Sequence, residues 1–137
     1  MKPLPQTDNP LVLRTDFSDQ QVWQEVRAMI EMPVGFLRFR AYVDFLDDSQ
    51  YAGLTSQGLP DALPKDYNQT FILLADQVTM SHRERPLLVV DLFEYSFREF
   101  RALPSQVQNI ENNLSIGNMD FEEFADAVGA DGIFRGF

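Results

Sequence analysis

Two runs in this chain, Phe71-Ile72-Leu73-Leu74-Ala75 and Leu87-Leu88-Val89-Val90-Asp91-Leu92, are apolar at nearly every position. A strand sends alternate side chains to opposite faces of its sheet, so a run that is apolar at both parities needs cover on both faces. That requirement sets aside a half-exposed antiparallel sheet and makes these runs the central strands of a layered α/β fold. Of the 137 residues, 45% are apolar, which is enough core for one domain; a chain of this size buries roughly two thirds of its unfolded surface.

The remaining elements follow from periodicity. Residues 10–17 read as a first strand. Ser18 with Gln21 forms a capping-box pattern, and Val22, Val26, Met29 and Ile30 then recur at helical spacing, predicting a helix over 18–31. Pro33 and Gly35 stop it. Leu37, Phe39, Ala41, Val43 and Phe45 alternate with polar residues, predicting a second strand. Residues 49–67, with two glycines and two prolines, suggest short helical turns in a crossover. Phe97–Leu103 reads as a hairpin partner of the Leu87 strand. Two helices follow, one opening at Pro104-Ser105 and carrying Val107, Ile110 and Leu114, the other capped by Asp120 with Glu123 and carrying Phe121, Phe124 and Val128. The expected architecture is therefore α/β: a mixed, mostly parallel sheet of about five strands, with a C-terminal β-hairpin followed by two helices, in a single domain over 1–137.

Aspartates stand at the ends of four apolar runs: Asp16, Asp47 with Asp48, Asp76 and Asp91. Open α/β sheets bind ligands beyond the carboxyl ends of their strands. Twenty-four residues lie between Asp16 and Ala41 and twenty between Asp48 and Gln69, long enough for parallel crossovers. Asp16, Asp47 and Asp76 are thus expected on one edge. Only ten residues separate Asp76 from Leu87, which suits a long antiparallel loop and would put Asp91 at the other edge. Three converging carboxylates would suit Mg²⁺ and a phosphate-bearing substrate. The plainer alternative is that each aspartate caps a turn or helix with its own oxygens.

Other chemistries find less support. Without cysteine there are no disulfides, thiolate nucleophiles or cysteine zinc sites. Gly117–Phe124 resembles the second half of a calcium loop, but counting back from Glu123 places Leu114 and Ile116 at two ligand positions, where neither side chain has an oxygen. His82 is the only histidine and lies in a polar stretch with no local nucleophile and acid to complete a triad. Neither glycine-rich phosphate motif is present. The arginine pairs 38/40, 83/85 and 98/101 could accept an anionic ligand; the plainer reading is that they are surface ion-pair partners.

Twenty-one acidic against eleven basic residues give a net charge of −10, which opposes nucleic acid and favours a basic protein partner. No apolar stretch approaches the ~20 residues of a membrane span, so a cytoplasmic location is expected. Ile133, Phe134 and Phe137 leave two alternatives, docking on their own core or on a second copy in a homodimer.

The segments LVLRTDFSD (11–19), YVDFLDDSQYAGLT (42–55), PLLVVDL (86–92) and IENNLSIGNMDFEEFADAVGADGIFRGF (110–137) resemble, in order, those of a small bacterial family of uncharacterised proteins. The resemblance implies a stand-alone single-domain protein and carries no activity or catalytic residue. Two functional classes follow. The first is a non-enzymatic acidic interaction module, immunity- or antitoxin-like, with Asp47, Asp48, Tyr51, Asn112 and Asn113 as binding residues. The second is a Mg²⁺-assisted phosphate-processing or phosphate-binding protein using Asp16, Asp47 and Asp76.

Overall fold

The computed structural model describes residues 1–137. Its centre is the antiparallel pair of strands Phe71–Ala75 (β3) and Leu87–Asp91 (β4), every residue of which is buried. Phe71, Leu73 and Ala75 with Leu87 and Val89 face one core; Ile72 and Leu74 with Leu88 and Val90 face the other. Leu11–Arg14 (β1) pairs parallel to β3, and Asp44–Leu46 (β2) pairs parallel to β1 on its far side. Glu99–Ala102 (β5) pairs antiparallel to β4, and Ile133–Phe134 (β6) runs parallel to β5. The sheet order is β2-β1-β3-β4-β5-β6.

One face is covered by helices Gln20–Glu31 (α1), Val107–Leu114 (α4) and Phe121–Ala125 (α5). Helix α1 buries Trp23, Val26 and Ile30, a stripe at helical spacing. The other face is covered by the N-terminal segment through Leu4 and by the β2–β3 crossover, which holds 3₁₀ turns at Ser49–Tyr51 and Ser56–Gly58 and the short helix Leu59–Ala62 (α2). The crossover is pinned where Leu4 N–H donates to Ala62 O at 2.8 Å and Gly53 N–H to Thr15 O at 2.8 Å. Gln77–Ser81 forms the remaining helix, α3. No helix is long and apolar enough to cross a membrane.

Three features depart from the sequence-based expectation. The sheet has six strands rather than five, and the expected hairpin, β4–β5, does not end it, because the C-terminal tail returns after the last two helices and adds β6 parallel to β5: Arg101 N–H donates to Gly132 O and Leu103 N–H to Phe134 O. Phe134 is fully buried and meets Phe100, Phe124 and Phe137 at centroid distances of 6.4, 5.3 and 5.0 Å, so Ile133 and Phe134 are spent on the chain's own core. The second strand is confined to 44–46. Residues 34–39 instead fold back on themselves, with Val34 and Phe39 exchanging both backbone hydrogen bonds at 2.9 Å around Gly35 (φ 76°) and Arg38 (φ 56°). Residues 37–39 therefore belong to a turn that leaves Leu37 exposed, whereas Ala41, Val43 and Phe45 keep the expected alternation and pack half-buried on the core. The α1 cap is Asp19, whose Oδ1 accepts from Val22 N–H at 3.1 Å, not Ser18.

Phe134→Ala is expected to cost about 3–5 kcal/mol, the usual range for emptying a buried aromatic site. Urea unfolding measures it; a loss below about 1 kcal/mol would show that β6 merely rests on the sheet.

Candidate functional site: the two ends of the sheet

The parallel strands β1, β2 and β3 end together, and their carboxyl ends bring Asp16, Asp47 with Asp48, and Asp76 to one edge. Strand β4 runs the other way, which sends Asp91 to the opposite edge. At the first edge each acid has its own partner. Arg14, buried at the end of β1, reaches Asp47 Oδ1 at 3.3 Å and Gln20 Oε1 at 2.6 Å, and its guanidinium lies 4.3 Å from the Phe17 ring centroid. Asp16 Oδ1 accepts from Ser18 N–H and Ser18 Oγ. Asp76 receives a bidentate pair from Arg101 at 2.9 and 2.8 Å while capping α3 through Thr79. Asp48 caps the turn that follows it through Gln50 N–H. Tyr51 is buried, its hydroxyl donating toward Lys2 O and Pro3 O and so holding the N-terminal segment. No group of three His, Cys, Asp or Glu side chains is placed to hold a metal ion.

Burial pushes the Asp76 carboxyl up, but the Arg101 guanidinium together with the N–H and hydroxyl of Thr79 more than offsets this and holds it below the ordinary carboxylate value. Folding thus favours the ionised form. The stabilisation is complete above the unfolded value, about 3.9, and is lost as pH falls through the lower folded value. Asp76→Asn should cost about 1–3 kcal/mol at neutral pH and flatten the decline of stability below about pH 4. Urea unfolding across a pH series checks this; an unchanged acid limb in the variant would remove Asp76 as its source.

The opposite end is different in kind. Of the twelve large apolar side chains that remain exposed, seven lie on three loops there: Phe36, Leu37, Phe39 and Tyr42 before β2, Phe93 and Tyr95 between β4 and β5, and Ile116 after α4. The first loop enters the start of β2 and the second joins the end of β4 to the start of β5, while the α4–α5 turn lines a cleft with the second.

The β4–β5 loop is built on Asp91, which is 3% exposed. Its Oδ1 accepts from Phe93 N–H at 3.1 Å, and its Oδ2 accepts from Ser96 Oγ at 2.5 Å and Arg98 Nη2 at 3.0 Å. Arg98 also pairs with Glu122 on α5. Around this hub Glu94, Tyr95 and Phe97 adopt φ of 54°, 54° and 51°, a left-handed conformation that costs a residue with a Cβ about 1–2 kcal/mol. Beside the loop lies a cleft of about 600 Å³ that includes Asp91, Phe93, Glu94, Arg98, Met119, Phe121 and Glu122.

A second cleft, of about 640 Å³, separates the first loop from α4 and is lined by Phe39, Tyr42, Gln108, Asn109, Glu111, Asn112, Asn113 and Ile116. Its floor carries Glu111, 5% exposed, whose Oε1 accepts from Tyr42 N–H at 2.8 Å and Asn112 Nδ2 at 2.9 Å. Asn112 and Asn113 thus belong to this end, whereas Asp47 and Asp48 follow the other end of β2. Sequence reasoning missed Glu111, Phe93 and Tyr95. Glu111 stands four residues after Val107 and three before Leu114, on the apolar face of α4, and that spacing was the signal of its burial; nothing local marked the loop aromatics as exposed.

The fold and its two ends define a mixed α/β protein with a charge-paired edge and an aromatic edge. The chain belongs to the family described as a domain of unknown function (DUF6924), which matches residues 9–137. No curated protein matches it.

Tyr95→Gly should raise stability by about 0.5–1 kcal/mol, since relief of the left-handed strain exceeds the added flexibility of the unfolded chain. Thermal and urea unfolding measure it. A net loss would mean that contacts of the Tyr95 ring, such as that with Phe97 at 6.1 Å, outweigh the strain.

Proposed function

We propose that this protein is a non-enzymatic interaction module that docks a protein partner with a basic surface through the aromatic end of its sheet. The observation that carries the reading is the exposure of Phe36, 99% open to solvent at the tip of the first loop and followed by Leu37, also exposed. Large apolar groups gathered on one end of a folded protein and bordered by polar residues are the usual mark of a docking surface. Aromatic side chains supply much of the binding energy at such surfaces. The strained β4–β5 loop supports the same reading: three left-handed positions hold Glu, Tyr and Phe where glycine would be unstrained.

Charge chooses the partner. A net charge of −10 draws a basic protein from a distance and speeds encounter, more so at low salt. Asp47 and Asp48 contribute to that field from the far end, while Asn112 and Asn113 sit within reach of the contact. The logic is that of an immunity- or antitoxin-like protein, which neutralises its partner by occupying it.

The test compares wild type with Phe36→Ser/Leu37→Ser in affinity capture from the source organism. Both side chains are exposed, so the variant should keep its stability within about 0.5 kcal/mol per site. Wild type is expected to retain one basic protein stoichiometrically, the double variant to lose it, and the association rate to fall as salt rises. Equal capture by both proteins, or none, overturns the reading; concentration-dependent dimerisation abolished by the same substitutions would replace the partner by a second copy.

A further inference from the structure

We infer that the cleft between residues 39–42 and α4 is a seat for an arginine side chain of the partner; the inference rests on the reading that this end is the docking surface. The argument is an inventory of hydrogen-bonding groups. On the cleft wall each amide donates within the protein: Gln108 Nε2 donates to Ser105 O, Asn109 Nδ2 to Gln106 Oε1, Asn112 Nδ2 to Arg40 O and Glu111 Oε1, and Asn113 Nδ2 to Asn109 O and Oδ1. The second N–H of Gln108 and of Asn109 and the Tyr42 hydroxyl are free as donors, but the one charged group of the cleft wall with an unpartnered atom is the buried Glu111 carboxylate. Its Oε2, like Asn112 Oδ1 and Gln108 Oε1, is an acceptor without a protein partner.

A group that matches Glu111 Oε2 and the amide oxygens beside it donates several hydrogen bonds and is positively charged. Guanidinium meets both conditions, with five N–H donors in a plane. Phe39 and Tyr42, about half and three-fifths exposed, add aromatic faces on which such a plane can stack. The protein stacks its own arginines in this way: Arg14 lies 4.3 Å from the Phe17 centroid and Arg27 lies 4.5 Å from that of Phe45. Glu111 supplies the charge. Its carboxylate is buried, and only one oxygen is used, by Tyr42 N–H and Asn112 Nδ2. An arginine reaching Oε2 would form a charge-assisted bond in a largely desolvated position, where such bonds are strong.

Other charges bear on the site. Arg38 and Arg40 are exposed on the same loop and make no ion pair, so they repel an incoming cation. Arg40→Ala should therefore tighten binding, an effect that a purely structural role for the cleft does not predict.

The probe is N-acetyl-arginine amide, titrated into the ¹⁵N-labelled full chain, with N-acetyl-citrulline amide as a control of the same shape and no charge. Saturable shifts are expected at the Tyr42 backbone amide and the Asn112 side-chain amide, with none from citrulline. Glu111→Gln should weaken binding by about tenfold or more, the scale of one charge-assisted bond. If that variant does not give a folded spectrum, Tyr42→Ala, which removes an exposed ring, carries the same expectation. Absence of saturable shifts, equal shifts from citrulline, or shifts confined to other residues overturns the arginine seat. The two proposals fail separately. If the probe is inert while Phe36→Ser/Leu37→Ser still abolishes partner capture, the seat falls and the docking surface stands; if the probe binds while capture is indifferent to those substitutions, the docking surface falls.

Discussion

Everything in this fold depends on β3 and β4 being buried on both faces. An antiparallel pair with Leu, Ile and Val at both parities cannot face water on either side, so the chain must supply two covering layers. It does so unequally: α1, α4 and α5 cover one face, whereas the N-terminal segment and a crossover of short turns cover the other. The second layer has little regular structure of its own, and this explains why Tyr51 and Leu4, both fully buried, are tied in by backbone acceptors and donors. Reversal of direction at β4 follows from the short connection after β3, and it divides the strand-end acids between two edges.

Those edges handle charge in opposite ways. At the carboxyl ends of the parallel strands, arginines from four elements or loops meet acids from others: Arg14 with Asp47, Arg101 with Asp76, Arg135 with Glu84 and Arg85 with Glu25. Exposed pairs of this type add little stability, but the bidentate Arg101–Asp76 pair is partly sheltered and fixes β5 to the start of α3. The rim is thus largely committed to holding loops together. At the other edge the buried carboxylates Asp91 and Glu111 act as hubs that organise loops carrying exposed aromatic residues. Holding Glu94, Tyr95 and Phe97 in left-handed backbone requires that surrounding contacts over-determine the loop, and the three bonds accepted by Asp91 do this.

Much of the fold was legible because it rests on local periodicity. Continuous apolar runs located β3 and β4, the stripe of Val26 and Ile30 located α1, and Pro104, Gly117 and Asp120 bounded the last two helices. Connection lengths anticipated the parallel crossovers from β1 to β2 and from β2 to β3. Less was legible where pairing at a distance decides the outcome. Alternation over residues 37–45 held at Ala41, Val43 and Phe45, which pack on the core, and failed at 37–39, where the Val34–Phe39 bridge folds the chain back; the bond from Tyr42 to Glu111, 69 residues away, fixes the path between. The tail became a strand only because β5 offered an open edge.

The candidate site divides in the same way. The sequence by itself determined the two-sided core, the excess of negative charge, the absence of thiol chemistry and the shared edge of Asp16, Asp47 and Asp76, since these depend on composition, parity and connection length. Only the tertiary structure decided that arginines distant in sequence occupy Asp47 and Asp76, that Asp91 and Glu111 are buried hubs, and that Phe36, Phe39, Tyr42, Phe93 and Tyr95 gather at one end. The physical reason is that exposure and ion pairing belong to neighbours in space. An apolar residue in a loop has the same local signature whether the fold covers it or leaves it to a partner.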